Sequence, residues 1–215
     1  MIRTLLLIIV LCTAACATTV EPVLQPCQPA IELPQQWFNS GKTVRLRHAG
    51  AITIGDTVIP INGFMELDTR HHTAKVVILT GFGIKLASLK VGPDSAQVLG
   101  TSPIADQIPH FMDQCILSIR RMFLADFYQA EDRCAYTDGY LEFTGPRRNG
   151  VLRSVVDQHP GFVRKKIFES TEENWTVNYG DAVVVDDVRL PGQTSFVSND
   201  KKYSVTLKLK TPDMP

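Results

Sequence analysis

The chain has 215 residues, 44% hydrophobic and 20% charged, and its 22 basic side chains equal its 22 acidic ones. That length fits one ordinary globular domain or two small ones, and balanced charge with no long Lys or Arg run excludes the electrostatic footprint of a nucleic-acid binder. Thirteen prolines and fourteen glycines set it apart from low-complexity sequences.

The leader holds one charge, Arg3, then the apolar run Leu5-Leu6-Leu7-Ile8-Ile9-Val10-Leu11, then Thr13-Ala14-Ala15 before Cys16. The run is too short to span a bilayer as a helix, and residues 1–15 have the layout of a signal peptide. Thr13-Ala14-Ala15-Cys16 resembles the lipobox of bacterial lipoproteins, with Thr13 where Leu is more usual; Cys12, behind the bulky Leu11, is a poorer match. The resemblance implies that Cys16 becomes the lipidated first residue. At about 0.8 kcal/mol per buried methylene, a multiply acylated cysteine is a firm anchor. Ala17, in place of the Asp that retains many enterobacterial lipoproteins at the inner membrane, points by the same resemblance to the outer membrane and the periplasmic side. A plain secretory signal with an incidental cysteine is the alternative.

Cys27, Cys115 and Cys134 are an odd number and cannot all pair internally. A Cys115–Cys134 bridge suits an oxidising compartment, but spacing alone does not establish it. Pro22, Pro26, Pro29 and Pro34 make residues 16–40 an extended tether beyond the lipidated cysteine.

Alternation begins with Val44, Leu46, His48, Ile52 and Ile54 on one parity and Arg45, Arg47 and Thr53 on the other, a half-buried strand. Further strands are expected over 57–67, 74–80, 84–91 and 95–101, with short polar or glycine-bearing turns between them as antiparallel hairpins require. The period then changes. Ile104, Ile108, Phe111, Met112, Cys115, Ile116, Ile119, Met122 and Phe123 recur at three and four, an apolar helix stripe, with Asp113, Gln114, Ser118, Arg120 and Arg121 assigned to the other side. Pro109 suits a first turn, so the main helix is expected to start near it. Strand patterns return over 135–143, 152–157, 163–169, 174–179, 183–188, 194–198 and 203–210. The expected fold is mainly β (α+β): a half-open antiparallel barrel of about eleven strands, spanning residues 41–215, with the amphipathic helix as a lid over its interior.

Asn174-Trp175-Thr176-Val177-Asn178-Tyr179-Gly180, then Val188-Arg189-Leu190-Pro191, then the alternating run from Lys201 to Leu209 resemble the C-terminal half of the lipoprotein-localisation receptor LolB. Ile78-Leu79-Thr80-Gly81-Phe82-Gly83-Ile84-Lys85-Leu86 is similar to that family's strand, apolar loop tip and strand. The resemblance covers roughly residues 35–210 in element order through short, degenerate motifs, and extends to an uncharacterised LolB-like branch. It implies an apolar cavity accepting acyl chains of a lipoprotein or related lipid, a helix lid, no cofactor and no catalytic group. It makes Phe82 the membrane or transfer tip, with a buried Phe at a tight turn as the alternative. Ile104, Ile108, Phe111, Met112, Ile116, Ile119, Met122, Phe123, Trp175 and Tyr179 become candidates for cavity and lid, or for ordinary core. The implied partners are acylated cargo, the membrane through the lipid anchor, and a periplasmic carrier protein, with the chain itself a monomer.

The residues carry little enzymatic signal. No Gly-x-Ser-x-Gly, His-Glu-x-x-His or phosphate loop occurs, and His71-His72 sit in a turn where neighbours point apart. Two other non-enzymatic functions remain: a dedicated glycolipid or pigment-lipid carrier, and a structural or assembly lipoprotein whose filled core leaves it to bind a protein partner.

Overall fold

A computed structural model describes residues 25–26, 36–125, 127–129, 131–137, 139–158, 161–200 and 202–210. The expected signal peptide and lipidation site, Cys16, lie outside the described residues.

The first half of the chain forms β1 (Gln25–Pro26), β2 (Thr43–Ile54), β3 (Thr57–Asp68), β4 (Thr73–Thr80), β5 (Lys85–Val91) and β6 (Ala96–Thr101). Helices α1 (Pro103–Asp106) and α2 (Phe111–Ile119) follow, and α2 runs into a π-helical turn, Arg120–Leu124. The second half forms β7 (Arg133–Thr137), β8 (Tyr140–Arg147), β9 (Gly150–Asp157), β10 (Val163–Glu169), β11 (Asn174–Tyr179), β12 (Ala182–Val185), β13 (Val188–Pro191), β14 (Gln193–Ser198) and β15 (Tyr203–Lys210).

Thirteen strands make one antiparallel sheet in the order β1-β7-β8-β9-β10-β11-β14-β15-β2-β3-β4-β5-β6, and β12 and β13 form a separate hairpin. The last strand zips the two halves together, pairing β2 from Tyr203 opposite Ile54 to Lys210 opposite Arg47. Edges β1 and β6 do not pair among the described residues, so the barrel is open. The alternation does what a period of two requires. Val44, Leu46 and His48 on β2, Trp175, Val177 and Tyr179 on β11, and Tyr203, Val205, Leu207 and Leu209 on β15 are buried, while Arg45, Arg47, Thr206 and Lys208 face solvent.

Four expectations are corrected. The 135–143 segment is two strands turning at Gly139, whose φ of 85° favours a residue without Cβ. The 183–188 segment is a tight hairpin, with Asp186 and Asp187 at φ 49° and 60°, the left-handed pair that matches strand twist. The helix breaks in two: a capped turn at α1, where Ser102 Oγ accepts from the Ala105 N–H at 3.2 Å, and then α2 entered through His110 at φ 58°. Lastly, the tether does not reach residue 40. Trp37, in a short 3-10 turn, is fully buried, with its ring centroid 5.2 Å from Tyr179 and 5.7 Å from Phe127. The open sheet leaves its β10–β11 side uncovered by α2, and an aromatic from before the first long strand fills that space.

Cys134 is disulfide-bonded and Cys115 is a free, buried thiol, so the two do not pair with each other. Cys115 faces inward from α2, whereas β7 places Cys134 opposite Gln25 at the sheet's far edge.

Trp37→Ala is expected to cost about 3–5 kcal/mol, read from denaturant midpoints. A loss under 1 kcal/mol would return residues 36–40 to the tether.

Candidate functional site: the covered concave face

The large curved sheet has no second large sheet to pack against among the described residues, so its interior is closed by helices and by the β12–β13 hairpin, whose Val185, Val188 and Leu190 are buried in the same core. Phe111, Cys115 and Ile119 of α2, and Met122, Phe123 and Leu124 of the π-turn, are buried against it. Ile108, Met112 and Ile116 are half-buried on the core's margin. Ile104, on α1, is 48% exposed and stands outside. Between cover and sheet, walled by Ile52, Ile61, Val76, Ile119, Met122 and Phe123, an apolar gap of about 30 Å³ remains. That is room for about one water. Phe111, Trp175 and Tyr179 are packed core beside the gap: Trp175 stacks on Phe168 at 5.4 Å, and the Tyr179 hydroxyl donates to Met122 O at 2.9 Å.

The two ends of the cover are held differently. At the C-terminal end, the carbonyls that a helix leaves without partners are met by a buried cation. Lys166 of β10 is fully buried, donating from Nζ to Ala125 O at 2.9 Å and to Arg121 O, with its ammonium 4.0 Å from the Phe127 ring centroid. Arg121 is paired with Glu173 and lies 5.1 Å over Trp175. Arg120 donates to Gly92 O at 2.9 Å and Ser95 O at 3.2 Å, tying the π-turn to the β5–β6 corner. The N-terminal end is held by hydrogen bonds of the neutral backbone and of Thr101 and Ser102: the Ser102 N–H donates to Leu86 O at 3.0 Å, and the Thr101 hydroxyl donates to Asp106 Oδ1 at 2.9 Å, with Ala105 buried and Ile104 half-exposed.

Sequence reasoning missed Ser118, Arg121 and Lys166, all buried. Phe111, Cys115, Ser118 and Met122 recur at helical spacing, so the period places Ser118 on the buried side despite its polarity. Ser118 is satisfied locally, its hydroxyl donating to Gln114 O at 2.7 Å. Lys166 shares its strand parity with buried Phe168, a signal the sequence did carry.

At the β4–β5 hairpin, Phe82 is 96% exposed. Thr80 fixes the loop: its Oγ1 accepts from the Ile84 N–H at 3.1 Å, and its carbonyl accepts from the Gly83 N–H at 2.9 Å. Ile84, 53% exposed, adjoins it. Because Ala87 pairs with Thr101 and α1 begins at Pro103, this tip and the N-terminal end of the cover share one end of the sheet.

His48 is the polar residue that the sheet itself contributes to the wall of the gap. Only 5% exposed, it lies against Gly63 of β3, where a Cβ would sit 2.8 Å from Nε2 and 1.9 Å from Val77 O. Burial lowers its pKa to about 4, against a smaller upward pull from the Val77 carbonyl. Burial likewise pushes the Cys115 thiol up to about 12, so it is not a thiolate nucleophile at neutral pH. Among the described residues no three His, Cys, Asp or Glu are grouped to hold a metal, and no helix is long and apolar enough to cross a membrane.

The His48 shift gives stability a pH dependence of known sign. Unfolded, the ring titrates near 6.5; folded, near 4. The unfolded chain therefore gains a proton between those values that the folded chain refuses. This contribution is complete above about pH 6.5 and is lost as pH falls toward 4, by up to roughly 3 kcal/mol. His48→Asn should flatten that limb of the stability profile, measured by urea unfolding; a wild-type slope in the variant would assign the titration elsewhere.

No family model matches the sequence, and no curated protein matches it. Solved structures do. A LolA superfamily protein from Nitrosomonas europaea is 14% identical, with 82% of this chain and 89% of that one covered at a TM-score of 0.52. A DUF1329 family protein from Desulfovibrio piger is 8% identical, with 82% and 88% covered at 0.47. A Vibrio parahaemolyticus domain named for outer membrane lipoprotein sorting is 8% identical, with 82% and 85% covered at 0.48. The first of these, on the open sheet and helical cover described above, carries the conclusion that the chain shares the fold of that LolA superfamily protein.

Proposed function

We propose that this protein is a non-enzymatic carrier or receptor that takes an acyl chain of a lipoprotein, or of a related lipid, between α2 and the concave sheet. The observation that carries the reading is the apolar gap of about 30 Å³ under a cover whose C-terminal end is clamped by Lys166. Acyl chains are costly to expose to water, and a dry apolar surface that opens on demand removes that cost. The gap as it stands holds about one water, so a chain enters only when α2 lifts. The fold shared with the Nitrosomonas LolA superfamily protein supports the same reading.

Placement follows from the other features. Cys16, once lipidated, anchors the protein at the outer membrane facing the periplasm, with residues beyond it as tether, and a soluble periplasmic carrier would hand cargo to it. Phe82 is the tip that meets the bilayer, with Ile84 and Lys85 beside it suited to acyl region and anionic headgroups respectively. The N-terminal end of the cover at the same end of the sheet would bring the opening to the membrane. A glycolipid or pigment-lipid carrier uses the same chemistry with a different cargo.

The small gap also favours a second reading, a filled-core assembly lipoprotein that binds a protein partner. The two separate by experiment. Native mass spectrometry of the mature domain purified from its host should show a lipid adduct, and an apolar fluorescent probe should bind; no adduct and no probe uptake would select the filled core.

Phe82→Glu should leave probe binding unchanged and slow transfer to phospholipid vesicles roughly tenfold or more, the equivalent of the about 1.5–3 kcal/mol that burying a Phe contributes. Equal loss of binding and transfer would contradict a role at the membrane.

A further inference from the structure

The wall of the gap is apolar except for His48, Cys115 and Ser118. Two of these are occupied. Ser118 Oγ donates to Gln114 O and lies 3.3 Å from the Tyr203 hydroxyl, which also meets Cys115. His48 is different. Its Nε2 is 3.3 Å from Val77 O, and a carbonyl can only accept, so Nε2 carries the proton. In a neutral imidazole the other nitrogen is then a bare acceptor. That nitrogen, Nδ1, is buried and has no hydrogen-bond partner among the described residues. Other buried polar atoms lack partners too, among them the Trp37 and Trp175 indole nitrogens and the Ser154 and Thr194 hydroxyls, but none belongs to a residue lining this gap.

An unpaired buried acceptor costs about 1–3 kcal/mol. Gly63 leaves room for the paired side of the ring, since a Cβ there would sit 2.8 Å from Nε2 and 1.9 Å from Val77 O. An apolar residue at 48 would pack the same wall without that cost.

We infer that His48 Nδ1 is a recognition point for the cargo, accepting a hydrogen bond from a hydroxyl or amide N–H carried on an acyl-chain ligand within the gap. The ligand class is thus an amphiphile whose apolar chain is interrupted or ended by a donor, in preference to a bare hydrocarbon or an ester or ether with acceptors alone. This rests on the acyl-carrier reading and adds selectivity to it. His48 acts in binding only; no proton is transferred.

The test uses two probes that differ in the donor: 1-tetradecanol and its methyl ether, titrated into the mature protein by displacement of an apolar fluorophore. The wild type should bind the alcohol about tenfold more tightly, the worth of one hydrogen bond to an otherwise unpaired group. In His48→Phe the difference should vanish, with the ether bound as tightly as in the wild type or more so. If circular dichroism shows that variant unfolded, His48→Leu makes the same comparison. In the wild type, the ¹⁵N resonance of Nδ1 should begin in the unprotonated, pyridine-like range and move on addition of the alcohol but not of the ether. Equal affinity for the two probes, a preference that survives in the variants, or a protonated Nδ1 in the free protein would overturn the assignment of His48 and leave the carrier reading standing. Failure of both probes and of the fluorophore to bind at all would overturn the carrier reading and this inference with it.

Discussion

The governing constraint is that one open sheet must hide its concave face with very little. Alternation along twelve-residue strands such as β2 and β3 puts apolar side chains on one side of a continuous surface, and no second large sheet meets them among the described residues. The chain supplies nine residues of α2, a π-turn, the β12–β13 hairpin, and Trp37 with its aromatic neighbours. The residual free space is about 30 Å³ because cover and wall were matched to each other, and the buried Lys166 is tolerated because the helix end needs a donor there more than the wall needs another methylene.

The same economy separates the two halves of the interior. On the β9–β11 side the space is closed by aromatic packing: Trp37, Phe162 and Tyr179, with Trp175 on Phe168. On the side of β2–β4 and β15 it is closed by α2 and by Met122 and Phe123 of the π-turn. The proposed cargo would lie on that side, with Tyr179 holding Met122 O in place beside it. The π-turn marks the boundary. Such turns change which side chains face inward over a single residue step, and here the change is what turns Arg121 toward Trp175 and Phe196.

The strands were legible wherever one face is wet and the other dry, as in β2, β11 and β15. They were illegible where a turn occupies only one or two residues: the break at Gly139 and the Asp186-Asp187 pair interrupt patterns that otherwise read through. The stripe over 104–123 was legible as apolar, but spacing does not say that residue 110 takes a left-handed conformation and divides it. Among site residues, Ile119, Met122 and Phe123 were named from periodicity and line the gap. His48 was placed on the inner parity, yet its chemistry depends on Gly63 and Val77 from two other strands. Pairing across the sheet creates that environment, and no local pattern announces it. Phe82 stood between tip and core on sequence alone; the Thr80-fixed loop settles its exposure.

The central claim is that α2 lifts from a sheet that stays folded. Hydrogen exchange of the free mature protein, followed by mass spectrometry, measures this directly. The account predicts that residues 111–119 exchange through an opening well below the free energy of global unfolding, while 120–124 and strands β2–β4 remain protected, and that an acyl ligand changes protection in 111–119 selectively. Exchange of 111–119 only through global unfolding, indifferent to ligand, would contradict it.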